Sequence, residues 1–361
     1  MTTLPKKILI VRLGALGDVA NALVLAAAIK RAAPDTFVGW AVHNLALPIV
    51  EGNPVVDRAY LWDKKLGVRG LISCVREVRA EGYDLAIDLA RIFKSSLVAR
   101  LSGAPRVLGF DRARTKEFAW LFLNESIAPL PDPAYKPRHM VEQYLEFATH
   151  LGIEASAEHR LPQNDQAVAW AAEQVDRLAR APVAIGIGAS YVSKSWPAER
   201  FLDLGRSVAA SLNRPVILLG GPGDRELARL ELEQLAAASS DDGDDSHQPV
   251  VDYVGRTSLA ELIAITARAA VFVSCDTGPM HLAVAQGVPV VALFGPGVAG
   301  RTGPYNPQPA RHEIVAVPPP CAPCNKRTCR MPRHDCMLDI GVELVLDAVQ
   351  RQLERVDAQS S

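Results

Sequence analysis

Lys7-Ile-Leu-Ile-Val-Arg-Leu-Gly-Ala-Leu-Gly-Asp18 is the stretch on which the fold turns. Lys7 to Leu13 is a short apolar run ended by glycine, the composition of a strand buried on both faces. Gly14 and Gly17 follow, and then Val19 to Ala33, which is Ala-rich with apolar residues on most faces. Strand, tight loop and helix in that order open a βαβ unit. The loop lies where open α/β sheets take their ligands, and its glycines let backbone approach a ligand or another segment closely. It carries neither G-x-G-x-x-G nor Gly-Lys-Ser/Thr, so it is not a dinucleotide fingerprint or a Walker loop. Two readings of Asp18 stand side by side. It is a helix N-cap or first-turn carboxylate, or it is a base, kept ionised by the helix N-terminus, that accepts a proton from an attacking hydroxyl.

The same rhythm runs outward from this stretch. Strands are expected over Phe37–Val42, Tyr83–Asp88 and Arg106–Phe110, with a helix over Leu71–Glu81. The pattern turns irregular and Pro-rich from Pro129 to Pro137, and a helix over His139–Leu151 then stops at Gly152. The second half restarts with strands Val183–Ile187, Pro215–Leu219, Val250–Val254, Ala270–Cys275 and Val288–Phe294. Helices Ala198–Leu212, Asp224–Ala238 and Leu259–Arg268 separate them, and Ala236 to Pro249 reads as a polar, acidic surface insertion. Alternating strands and helices predict an α/β fold: two doubly wound, Rossmann-like domains with parallel sheets, facing a central cleft. The boundaries expected are residues 1–165 for the first domain, 166–182 for a linker and 183–340 for the second domain. The second domain carries a Cys-rich loop at 318–337, and a helix and tail follow at 341–361.

A chain of 361 residues suits two such domains. It has 39 Lys and Arg against 40 Asp and Glu, a formal net charge of -1, which leaves a nucleic-acid partner unsupported. No apolar run reaches the length of a membrane helix, and Met1 to Lys7 lacks a signal peptide's layout, so a cytoplasmic location is expected.

Cys275-Asp-Thr-Gly-Pro-Met-His281 is a second candidate site. A strand ends at Cys275 and Pro279 suits a first helical turn. The free N–H groups around Thr277 and Gly278 can cradle a phosphate, with His281 adding a hydrogen bond. Equally, Asp276 and Thr277 merely cap a helix. Ser190, Lys194 and Trp196 lie on the loop after the second domain's first strand, where Lys194 and Ser190 suit a phosphate. After Gly220-Gly-Pro-Gly223, Asp224 or Glu226 can hold a ribose, or the segment is a simple turn. Lys64, Lys65, Arg69, Arg91, Lys94, Arg112, Arg114 and Lys116 fall on expected loops of the first domain and together suit an anionic ligand. Cys321-x2-Cys324-x4-Cys329-x6-Cys336, with His334 nearby, has the spacing of a four-thiolate zinc or iron site, or is a set of reduced thiols or a stress-induced disulfide. Four protein ligands would make such a metal structural and not catalytic.

Ile8 to Asp18, Lys194-Ser-Trp-Pro197 and Asp276-Thr-Gly-Pro-Met-His281, in that order, resemble the bacterial lipopolysaccharide heptosyltransferases of glycosyltransferase family nine. Arg138-His-Met-Val-Glu-Gln-Tyr144 resembles the family's interdomain helix. The resemblance implies a GT-B fold, with acceptor on the first domain and nucleotide sugar on the second. It implies inverting, metal-independent transfer of heptose from ADP-heptose to the lipopolysaccharide inner core, without a catalytic cofactor. Asp18 would be the base. Ser190 and Lys194 would hold the donor phosphates, Asp276, Thr277, Gly278 and His281 the leaving diphosphate, and Asp224 or Glu226 the ribose. Lys64, Arg91, Lys94, Arg112 and Arg114 would meet the anionic acceptor, with the enzyme peripheral at the inner face of the cytoplasmic membrane. Ala189-Ser190-Tyr191-Val192 departs from members with Ser or Thr beside the lysine motif. The alternatives are a relative with another sugar or acceptor, protein included, and a nucleotide-binding regulatory module without transfer; retention of Asp18 argues against the latter.

Overall fold

The computed structural model describes residues 4–129, 138–239, 250–305 and 311–360. The expected Pro-rich stretch at 130–137 and most of the acidic insertion, 240–249, lie outside the described residues. The chain divides into two compact units, Met1–Gln163 and Asn164–Ser361.

The first unit runs β1 Lys7–Val11, α1 Leu16–Ala32, β2 Phe37–Val42, β3 Arg58–Leu61, α2 Gly67–Glu81, β4 Leu85–Asp88, α3 Phe93–Leu101, β5 Arg106–Gly109, β6 Glu125–Ser126 and α4 Met140–His150. Its six strands are all parallel, in the order β3-β2-β1-β4-β5-β6. The strands are short and apolar because both faces are covered. Leu9, Val11, Ala86 and Val107 join one core cluster, while Ile8 and Ile10 are buried on the other face. α1 is buried from Leu16 to Ile29 except at Asp18, since α4 packs over the side that a surface helix would show to water. Gly152, at φ 73°, ends the α4 region as expected.

The second unit repeats the plan. It runs α5 Asp165–Asp176, β7 Val183–Gly186, α6 Ala198–Leu212, β8 Val216–Leu219, α7 Pro222–Leu227, α8 Arg229–Ser239, β9 Val250–Asp252, α9 Leu259–Thr266, β10 Val271–Cys275 and α10 Gly278–Ala285. β11 Val290–Leu293, α11 Ala299–Thr302, β12 His312–Val315, α12 Asp335–Leu338 and α13 Val342–Ser360 complete it. The sheet order is β12-β11-β10-β7-β8-β9, again all parallel. Val183, Ile185, Val271 and Val273 face one core cluster while Ala184 and Phe272 face the other, the two-residue period of a sheet packed on both sides.

In both units the first strand of the unit lies beside the fourth, β1 beside β4 and β7 beside β10. The chain winds away in opposite directions on either side of that pair, which opens a crevice at the strands' C-terminal ends. Two expectations change. Residues 166–182, expected as the linker region, hold most of α5, which packs on α9 within the second unit. The segment after 341 is part of the second unit's core: α13 lies against α6, with Val345, Ala348 and Val349 buried.

Candidate functional site

The first unit's switch point is built on β1 and β4. β1 ends at Val11, which pairs with Asp88 at the end of β4. Arg12 follows, its carbonyl accepting the Trp40 indole N–H at 3.2 Å, and Leu13 accepts the His43 N–H at 2.9 Å. These bonds seat the strand exit before α1 begins. The N-cap of α1 is Ala15, without a side-chain cap, so Asp18 does not cap the helix. Its carboxylate instead forms an ion pair through Oδ2 with the guanidinium of Arg12. Arg12 is buried: burial works against its charge, but Asp18, Tyr144 and Asp88 outweigh it and raise its pKa. Asp88 is itself buried, accepting hydrogen bonds from the Ser96 hydroxyl and, at 2.9 Å, from Ala90 N–H. Burial nevertheless pushes its carboxyl above the usual range. A Cβ at Gly14 would meet nothing within 4 Å, so the loop faces open space there.

The five expected acceptor-binding residues divide into groups. Lys64 and Lys94 lie near His43, whose pKa falls first through burial and further through those two positive charges. The His43 ring is buried, 4.9 Å from that of Trp62, with Nδ1 2.8 Å from the Trp62 carbonyl. Arg91 is different. Its guanidinium lies 3.8 Å from the centre of the Phe110 ring and donates to Gln143 Oε1 at 2.7 Å. Arg114 pairs with Asp111 and with Glu146 at 2.6 Å, and donates to the Ala128 carbonyl at 2.9 Å. Both arginines tie the unit together, because a half-buried guanidinium needs such partners. Arg112 lies over Trp120 at 4.3 Å.

In the second unit, the loops after β7 and β10 bring distant segments together. Lys194 Nζ donates to Asp276 Oδ2 at 2.6 Å, and Thr302 Oγ1 lies 3.5 Å from the same oxygen. Thr277 is the extended N-cap of α10 and makes no side-chain cap, so the expected capping role is absent. Gly278 opens the helix, and His281 follows on its first turn; Asp276, Thr277 and His281 are all buried. A helix N-terminus with a lysine alongside attracts anions. Ser190 is exposed on the preceding loop. Asp224, expected at a ribose, accepts the Gly221 N–H at 2.7 Å and fills the space beside Gly188, so its carboxylate caps α7. Glu226 is exposed beside a cavity of ≈ 290 Å³ that Arg225, Arg229 and Arg256 also line.

The Cys-rich loop braces the Lys194 loop. Ser193 Oγ donates to the Lys326 carbonyl at 2.7 Å, Arg327 lies 4.8 Å from the centre of the Tyr191 ring, and Trp196 Nε1 donates to the Ile340 carbonyl at 2.9 Å. Cys321, Cys324, Cys329 and Cys336 are free thiols. Burial, then the three neighbouring thiols, push Cys336 up to about 11. Among the described residues no group of three or more His, Cys, Asp or Glu is placed to hold a metal ion, so the expected zinc or iron finds no ligand set. Arg12, His43 and Thr302 were not expected at these edges. Arg12 alone carried a signal, as a charge between Val11 and Leu13 in an apolar strand.

Residues 71–334 match the family described as glycosyltransferase family 9 (heptosyltransferase). The lipopolysaccharide core heptosyltransferase OpsX of Haemophilus influenzae is 29% identical over 308 residues, covering 84% of this chain and 83% of that protein. Among solved structures, the family 9 glycosyl transferase from Veillonella parvula superposes with a TM-score of 0.79 at 24% identity, covering 97% of this chain and 98% of that one. Escherichia coli heptosyltransferase WaaC with ADP superposes at 0.70 with 22% identity, covering 96% and 99%. These likenesses carry the two-sheet GT-B fold.

Proposed function

The chain belongs to glycosyltransferase family 9, the heptosyltransferases, and on that premise we propose that it transfers a heptose from ADP-heptose to the inner core of lipopolysaccharide. The observation that carries this reading is the pairing of Lys194 with Asp276 beside the start of α10, an anion-attracting edge at a sheet's switch point. There Lys194, the backbone N–H groups around Thr277 and Gly278, and His281 would hold the diphosphate and stabilise the charge that grows on it as the sugar leaves. Asp18 would accept the proton of the acceptor hydroxyl. Lys64 and Lys94 are the acceptor-binding candidates that rest on open positive charge, and they suit an anionic core sugar. Asp224 enters this reading only as the residue that shapes the ribose-side turn.

The test is parallel calorimetry with ADP, UDP and GDP, followed by a transfer assay with ADP-heptose and core acceptors. Selective ADP binding with heptose transfer to the core is the expected result. Preference for UDP or GDP would keep the fold and overturn the donor.

The finer partner is a bilayer face on the cytoplasmic side, where the enzyme would bind peripherally. Leu66, Val68, Ile72 and Phe118 are exposed large apolar side chains on the first unit. Residues 64–116 hold 12 Lys and Arg against 5 Asp and Glu, the composition of a surface attracted to anionic headgroups. No described helix is long and apolar enough to cross a membrane. A structural zinc or iron at the four cysteines is a separate proposal that rests on their spacing. About one equivalent of metal in the purified protein, lost in Cys329→Ser, would support it. A metal-free protein that folds and works would overturn it.

A further inference from the structure

Resting on the reading of Asp18 as the base, we propose that Arg12 is the positioning residue for proton transfer. Its buried guanidinium holds one side of the Asp18 carboxylate so that the other side meets the acceptor hydroxyl. Asp88, at the end of the neighbouring strand, is a second carboxylate whose charge acts on Arg12.

The ion pair is one-sided. The Asp18 side chain is 36% exposed and that of Arg12 10%. The carboxylate therefore has a buried edge against the guanidinium and an open edge toward solvent. A base on a first helical turn has several rotamers, and a charge-assisted bond to a buried partner selects one of them. Arg12 is held in turn by its backbone, through the bond from Trp40, and by the strand pairing that sets Val11 opposite Asp88. Its Nε is buried without a hydrogen-bond partner among the described residues. The Nη2 side of the guanidinium is the one that meets the Asp18 carboxylate. A planar fork holds a carboxylate in one orientation, which a lysine ammonium does less well.

Asp88 is not a rival base. It is 1% exposed and its oxygens are engaged by Ser96 and Ala90. Its charge acts on Arg12 from the β4 side, as that of Asp18 does from α1. In the step, the acceptor's O–H proton passes to Asp18 and the freed oxygen pair forms the bond to the anomeric carbon. The pair of the broken carbon–oxygen bond leaves with the nucleoside diphosphate. Asp18 is then neutral, and a buried Arg12 without a second carboxylate would be an unpaired charge, which is costly. The charge of an ionised Asp88 offsets part of that cost.

The experiment compares full-length wild type, Arg12→Met, Arg12→Lys, Asp88→Asn and Asp18→Ala. It uses steady-state kinetics with ADP-heptose and core acceptor, and ADP calorimetry as a readout independent of turnover. Arg12→Met should lower kcat by about 10²–10³-fold, leaving both KM values and the ADP Kd within about threefold, while Arg12→Lys should lose about tenfold or less. Asp88→Asn should lose about tenfold in kcat with the same KM pattern. Wild-type kcat in Arg12→Met, or a loss that appears in KM or in ADP affinity, overturns the proposal. Should Arg12→Met fail to fold, Arg12→Lys and Asp88→Asn decide: reduced kcat at constant KM supports it, and wild-type kcat in both overturns it. Wild-type turnover in Asp18→Ala would overturn the reading of the base itself, and so separates the two failures.

Discussion

Lys194 and Asp276 are separated by 82 positions in the chain yet meet at 2.6 Å. Asp276 is buried, so removing the ammonium leaves a carboxylate without its main partner and takes a positive charge from the anion-binding edge. Lys194→Ala should therefore weaken ADP binding by about 10–100-fold, equivalent to about 1.4–2.8 kcal/mol. His281→Ala should act in the same direction with a smaller effect, because a histidine adds one hydrogen bond and no fixed charge. Calorimetry checks both, and an unchanged Kd in each would contradict the phosphate role. Among basic residues of the first unit, type was a poor guide to use. Arg91 and Arg114 have the composition of ligand contacts and serve as internal ties, whereas Lys64 and Lys94 face a buried imidazole.

Strands and helices were legible where the hydrophobic period ran long enough. β1, β2 and β10 fall close to their expected positions because each is a near-continuous apolar run. β3, α3, β6 and β12 went unread: the three strands are all at sheet edges, one of them only two residues long, and polar residues interrupt α3. The expected helix Asp224–Ala238 is broken at Ala228, where Asp224 closes a first short helix and α8 starts again. α13 continues to Ser360, through the segment expected as a tail. At the edge strand β12, His312 accepts the Val290 N–H through Nδ1 at 3.1 Å, and burial followed by the Arg311 charge lowers its pKa to about 4. The unfolded chain takes up that proton near pH 6.5, so stability is complete above about 6.5 and is lost as pH falls toward 4. The loss is of order 2 kcal/mol for this partly exposed ring. Urea unfolding at pH 7 and pH 4.5 should show a smaller difference in His312→Gln than in wild type. An equal difference would assign the acid sensitivity elsewhere.

Charge is unevenly shared between the two units. The first holds 21 Lys and Arg against 17 Asp and Glu, and the second holds 18 against 23. A near-neutral total therefore hides a basic unit that suits an anionic acceptor and an anionic bilayer. Wild type should sediment with vesicles containing anionic lipid at low salt, and less at about 0.5 M salt, where the Debye length falls to about 4 Å. Val68→Asp should weaken vesicle binding without changing ADP affinity, since Val68 is 71% exposed. Equal sedimentation with neutral and anionic vesicles would refute the electrostatic part of that reading.

Local pattern was enough for the α/β class, the two-part organisation and the loops that carry Asp18, Lys194 and Asp276, because strand and helix periods and glycine stops act over a few residues. It could not supply the partners. Val11, next to Arg12, lies opposite Asp88 because β1 lies beside β4, and Lys194 meets Asp276 because β7 lies beside β10. Parallel pairing joins strands that are distant in the chain, and the winding rule sets which become neighbours. The same holds for Asp224, assigned to a cap by a turn three residues long. Residue type carried the chemistry each side chain can do, and packing chose which of those uses each one has.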